Sequence, residues 1–129
     1  MTKFRNTRVE LDGHRFPSKL EASTYGILKA RGRTGEIKSI KVQDQLYLGG
    51  ARIGYRADFR CEGMNGEIWW VEAKGMDGQR WRIIKKLWAF DGPGKLEIYK
   101  GSHLKPYLDE TIWPRTHVAI PMSIAEKYR

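Results

Sequence analysis

The chain has a single cysteine, Cys61, among 129 residues. That excludes an intramolecular disulfide and any cysteine-cluster zinc site. Cys61 falls in an expected strand, where a buried, inert thiol is the simple reading. Only three histidines occur, His14, His103 and His117, and no pair has metal-site spacing. All three are expected at the surface or in turns. No apolar run is long enough to span a bilayer. The opening residues, MTKFRNTRVE, lack the apolar core of a signal peptide. A cytoplasmic protein with no membrane partner is expected. No Walker-type phosphate loop is present, so no nucleotide cofactor is expected. Acids are scarce beside bases: 15 Asp+Glu stand against 24 Lys+Arg, a formal charge of +9. A small domain this basic commonly meets a polyanion, with nucleic acid the first candidate. The plain alternative is a basic soluble protein with no such partner.

What is present suits one domain, 1–129, with 40% apolar residues to fill a core. No repeat or linker divides it. In VELDGHRF, 9–16, Asp-Gly between two short runs is a hairpin signal. Residues 18–32 read as a helix: Ser18 caps it, Glu21 holds the capping-box position, and Leu20, Thr24, Ile27 and Leu28 share a face. Gly32 is expected to end it. Strands are expected at 42–48, 52–62 and 67–74, linked by glycine-rich turns. A second helix, 78–92, carries Trp81, Ile84 and Trp88 as its apolar stripe and stops at GPG, 92–94. A fourth strand follows at 95–101. Three strands joined by tight turns are antiparallel, and a strand reached through a helical crossover returns parallel. The expected fold class is therefore α/β, a mixed central sheet flanked by helices, with a core of about 9–101. Residues 102–129, broken by Pro106, Pro114 and Pro121, form a C-terminal extension of uncertain role. SIAEKYR suggests a short final helix capped by Ser123.

The stretch WWVEAKG, 69–75, places two charges in an apolar strand. By strand alternation Trp70, Glu72 and Lys74 share one face. Glu72 and Lys74 then lie roughly 6–7 Å apart along the strand. The preceding strand carries Asp58 in YRADF. Tyr55, Ala57 and Phe59 are expected on its apolar face, with Arg56, Asp58 and Arg60 opposite. If the two strands pair through the 63–66 turn, Asp58 lands near Glu72. Two carboxylates and an ammonium at a sheet end suit metal-assisted phosphodiester hydrolysis. Carboxylate oxygens hold Mg²⁺, a hard cation that also takes phosphate oxygens. Lys74 would assist the attacking water or steady the charge that develops. The bland alternative is a charge triad solvating a sheet end.

These residues carry a resemblance. ADF followed by VEAKG resembles the PD-(D/E)xK nuclease motif, with Asp58 as the D and Glu72–Ala73–Lys74 as the ExK. Ala57 stands where the motif's Pro would be. DGHRFPSKLEA, 12–22, with the later motifs, is similar to small phage-encoded nucleases related to the phage-type endonuclease I Holliday-junction resolvases. The resemblance covers roughly 9–101. It implies a restriction-endonuclease-like core (αβββαβ) and a metal-dependent endonuclease acting on branched DNA as a homodimer. It implies Mg²⁺, with Mn²⁺ able to substitute, held by Asp58, Glu72 and the Ala73 carbonyl. It further implies that Glu21 completes the site, in its own chain or in a partner's through exchange of the first helix. The capping box explains Glu21 without catalysis.

Lys19, Arg56, Arg80, Arg82, Lys85 and Lys86 are candidate DNA contacts. For those on the second helix the alternative is a solvated face. Gln43 and Gln45 either face the site or make buried hydrogen bonds. The tryptophans are expected in the core rather than as base-stacking platforms. Alternative functions are a nicking, mismatch or restriction-type nuclease of the same fold, or a basic DNA-binding accessory protein without catalysis.

Overall fold

The structure is a computed structural model and describes residues 8–115. The expected Ser123 helix and His117 lie outside these residues. The chain opens with the anticipated hairpin, β1 (Val9–Leu11) and β2 (His14–Phe16). Asp12 and Gly13 both take positive φ, 50° and 79°. That is the backbone a two-residue turn of this kind requires.

Helix α1 runs Lys19–Arg33, with Ser18 Oγ accepting the Glu21 N–H at 3.1 Å. Its buried face is Ala22, Thr24, Tyr25 and Leu28, so Tyr25 joins the expected stripe and Leu20 stays only half-buried. Thr24 is buried because its hydroxyl donates back to the Leu20 carbonyl at 2.8 Å.

Next come β3 (Ile37–Leu48), β4 (Ile53–Gly63) and β5 (Ile68–Ala73), then α2 (Gln79–Asp91), β6 (Leu96–Ser102) and β7 (Lys105–Ile112). The sheet order is β3-β4-β5-β6-β7. Every pairing is antiparallel except β5 with β6, which is parallel across the α2 crossover, as expected. The mixed sheet and two helices confirm the α/β class.

Two elements differ from expectation. β3 begins five residues earlier than 42, because a register shift between Ile37 and Ser39 breaks the apolar alternation that marks a strand. β7 is a whole strand within the expected extension. It lies at the sheet edge, where Pro106 opposite Gly101 removes no ladder bond that the sheet needs.

The sheet separates two cores. On one side Phe16, Ala22, Tyr25 and Leu28 pack on Phe59, Cys61, Trp69, Val71 and Tyr99. On the other Trp81, Ile84 and Trp88 of α2 pack on Leu48, Tyr55, Ala57, Trp70, Leu96 and Ile98. Trp69 and Trp88 are essentially fully buried, and such rings contribute roughly 4–6 kcal/mol each before conformational entropy is set against them. The tryptophans of β5 and α2 are thus core, as expected. Burial pushes the Cys61 thiol up to about 12, which keeps it inert.

The alternation expected for β4 fails at one place. Val42 and Phe59 belong to the α1-side core, whereas Leu46, Tyr55 and Ala57 belong to the α2-side core. Residues two apart on a regular strand share a face. Here both strands change face between the Val42–Phe59 and Asp44–Ala57 pairs, and the ladder skips Gln43 and Asp58. Gln43 takes a left-handed φ of 61° at that point.

Candidate active site

The face change sits where the β4–β5 ladder ends. Its last pair on this side is Phe59 with Val71. One residue further, the Asp58 carboxylate replaces the strand: its Oδ2 accepts the Ala73 N–H at 2.8 Å. Glu72, 7% exposed, accepts the Tyr55 hydroxyl at its Oε1. Asp58 and Glu72 are close enough for the charge of Asp58 to act on the Glu72 carboxyl. The two acids are therefore neighbours at the end of the β4–β5 pair.

The acid pair holds protons more tightly than ordinary carboxyls. Burial, then the negative charge of Asp58, pushes Glu72 well up, and the Tyr55 hydroxyl opposes this. Burial pushes Asp58 up to about 6, against the Ala73 N–H, the neighbouring Glu72 side chain and the Lys74 charge.

Glu21 enters from the first turn of α1. Burial, then the Asp58 charge, pushes its carboxyl up to about 7, while the Lys74 ammonium and Ser18 hydroxyl pull it down. Helix α1 packs on its own sheet, so Glu21, Asp58 and Lys74 interact within one chain. Lys74 follows β5. Its backbone N–H donates to the Tyr99 carbonyl at 2.9 Å, and its Nζ lies 5.4 Å from the centroid of the Trp81 ring.

Two openings meet at Lys74. The larger is a cleft of about 660 Å³ between the start of α1, the end of β5 and the β6–β7 turn. Lys19, Glu21, Ala73, Met76 and His103 line it. The turn is tied to α1, since Ser23 Oγ donates to the His103 carbonyl at 2.7 Å. The smaller opening, about 240 Å³, lies toward α2 and is walled by Tyr55, Arg56, Glu72, Arg80 and Trp81.

Among the described residues no three His, Cys, Asp or Glu side chains already form a metal cage. The donor set nevertheless fits a hard divalent cation. Asp58 and Glu72 are neighbouring oxygen donors, and burial holds both above their ordinary range despite the Lys74 charge. Ala73 borders the larger cleft with Glu21, and Glu72 the smaller opening.

The remaining candidates divide by position. Lys19 is exposed on the cleft wall, and Arg56 is exposed beside the smaller opening. The Arg80 guanidinium is steered by a 2.8 Å bond to the Gly54 carbonyl. Arg82 and Lys86 are exposed on α2. Lys85 pairs with Glu110 of β7 at 2.7 Å, which turns its ammonium toward the sheet edge. Gln43 and Gln45 are both exposed, and Gln45 donates to the Leu46 carbonyl at 3.1 Å and, half-buried, to the Tyr55 carbonyl at 3.4 Å. His14 is half-buried and packs its ring on Phe16 and Tyr25.

Tyr55 and Trp81 were readable only as core residues. The Tyr55 contact with Glu72 depends on the face change, which a regular alternation conceals, and the Trp81 contact with Lys74 on how α2 packs. The polar ends of a tyrosine and a tryptophan beside an acid and a base were the available signal.

Fold and site together define an α/β domain with an acid–base cluster at the end of a central strand. A family model described as a protein of unknown function (DUF1064) matches residues 1–103, and the chain belongs to that family. Comparison with the curated proteins gives no match, and neither does comparison with the solved structures. No helix among the described residues is long and apolar enough to cross a membrane.

Proposed function

We propose that the chain is a divalent-cation-dependent DNA endonuclease with a restriction-endonuclease-like core, acting on branched duplex as a homodimer. The observation that carries this reading is the neighbouring Asp58 and Glu72 carboxylates, held by the Ala73 N–H and the Tyr55 hydroxyl beside Lys74, in a chain of formal charge +9. A purely structural salt bridge needs one acid per base. A buried and a half-buried acid that burial holds above the ordinary carboxylate range cost stability, and they are the arrangement expected of a functional site.

Asp58 and Glu72 would hold Mg²⁺ or Mn²⁺, with the Ala73 carbonyl and Glu21 as further oxygen donors. The cation would supply positive charge to the scissile phosphate and activate the attacking water. Tyr55 and the Ala73 N–H fix the orientations of the two acids. Lys74 Nζ, resting on Trp81, donates to the phosphate oxygen that gains charge or orients the water. The basic surface supplies affinity for the DNA backbone.

The test compares wild type with Asp58→Asn and Lys74→Ala on four-way, nicked and linear duplexes in Mg²⁺. Both variants should lose cleavage yet still shift DNA on a gel in Ca²⁺. Undiminished cleavage by either removes the site. Cleavage confined to nicked or linear duplex would transfer the assignment to a nicking or restriction-type enzyme. Metal-independent binding with no cleavage would leave an accessory DNA-binding protein. Light scattering of the free protein tests the homodimer.

A further inference from the structure

The far half of the β3–β4 hairpin has an outer face that the core does not explain. Leu46, Leu48, Ile53, Tyr55 and Ala57 turn inward onto α2. The alternate positions turn outward, and the ladder sets Gln45 opposite Arg56 and Tyr47 opposite Gly54. Tyr47 is 58% exposed. A Cβ at Gly54 would meet the Tyr47 ring at 3.8 Å, so the ring lies across the glycine. The Arg52 guanidinium carbon stands 5.3 Å from the centroid of that ring.

Arg52 is a costly residue for its position. Its φ is 54°, in the left-handed region, where glycine or asparagine serves a turn best. Its backbone N–H closes the turn on the Gly49 carbonyl at 3.0 Å, a bond that glycine would make equally well. The turn therefore accounts for the backbone and not for the guanidinium. Charge points the same way. Between Gln43 and Ala57 the one acid is Asp44. It is engaged elsewhere, accepting the Trp70 indole N–H at 2.8 Å and the Lys41 ammonium at 2.9 Å. Arg52 and Arg56 are both exposed. Arg56 also walls the smaller opening with Glu72 and Lys74, so this face runs on from the acid cluster.

We propose that Tyr47 and Arg52 form a stacking platform for an unpaired base of the DNA substrate. A tyrosine ring and a guanidinium both have flat, weakly hydrated faces on which a base can stack. A base offers its own face only where it has left the duplex stack. An aromatic and cationic surface with no acid of its own fits that ligand. The assignment rests on the nuclease reading and deepens it: the substrate is recognised by a base exposed at a branch. Stacking of this kind tolerates any base, so the recognition is of structure and not of sequence.

The test measures, by fluorescence anisotropy in EDTA, binding to a forked duplex with unpaired arms and to a fully paired duplex of the same length. The wild type should bind the fork about ten-fold more tightly, the size of one stacked base. Tyr47→Ser and Arg52→Gly should each bring the ratio of the two affinities close to one. Tyr47→Phe, which keeps the ring, should retain it. Arg52→Gly also separates the platform from turn packing. It relieves the left-handed φ, so its urea midpoint should equal or exceed that of the wild type. A ratio near one in the wild type overturns the platform. So does an unchanged ratio in Tyr47→Ser or Arg52→Gly, and a lowered midpoint beside it would mark Arg52 as a staple of the turn. If the wild type cleaves DNA in Mg²⁺ while any of these results holds, the platform alone falls. If the wild type neither binds nor cleaves DNA, the nuclease reading falls and the platform with it.

Discussion

The Tyr55 hydroxyl donates to the Glu72 carboxylate across the end of the β4–β5 pair. Tyr55 is itself held by aromatic neighbours, with ring centroids 6.1 Å from Trp81 and 5.9 Å from Trp88. The acid is thus aimed by a side chain that cannot easily move. Tyr55→Phe keeps the ring and deletes the hydroxyl. Cation affinity, measured by calorimetry, should fall about 10–100-fold, as for other groups that orient a ligand. An unchanged affinity would show that Glu72 needs no such support.

The raised acids set a pH dependence for the cation-free protein. Glu21, Asp58 and Glu72 hold protons in the folded chain at pH values where the unfolded chain has released them. Their contribution to stability is complete below the ordinary carboxylate range near pH 4. It is lost as pH rises through about 6 and 7. In EDTA the urea midpoint should therefore decrease between pH 5 and pH 8. Mg²⁺ should restore it more strongly at pH 8, where the cation no longer competes with protons. A midpoint that rises over this interval in EDTA contradicts the assignment.

A separate buried ion pair supports the opposite end of α1. Arg31 meets Glu97 at 2.7 Å, and the Trp69 indole donates to the same carboxylate oxygen at 3.0 Å. Glu97 is only 5% exposed. Arg31→Met leaves this acid without its counter-charge and should cost about 3–5 kcal/mol by chemical denaturation. Adding Glu97→Gln should recover part of that loss, because no charge then remains to be neutralised.

Gln43 carries backbone strain. Its φ of 61° is one that side-chain-bearing residues seldom adopt, and it lies where β3 and β4 change face. Gln43→Gly should raise stability by about 0.5–1 kcal/mol, and the β-branched Gln43→Val should lower it by about 1–3 kcal/mol. If glycine is not tolerated there, the Gln43 side chain has a role beyond its backbone.

Much of the fold was legible because local chemistry and global packing agree. The Asp12-Gly13 turn, the Ser18 cap and the Trp81–Ile84–Trp88 stripe each appear where pattern alone places them. The parallel return of β6 followed from handedness and connection length. β7 stayed hidden because an edge strand need not bury alternate residues: Lys105, Tyr107, Leu108 and Asp109 are all exposed. Asp58, Glu72 and Lys74 were readable as a group from spacing. The face change that brings Tyr55 to them was not, since it coincides with one left-handed residue in a neighbouring strand. The pairing of Lys85 with Glu110 was equally out of reach without β7.

The two cores have a bearing on when the centre exists at all. Glu21 is anchored through α1 on one side of the sheet, while Lys74 leans on Trp81 of α2 on the other. A nascent or damaged chain that has assembled only one layer lacks either an acid or the base. On the proposed nuclease activity, completion of the whole domain would be a safeguard, and an unfinished molecule would be harmless to the DNA around it.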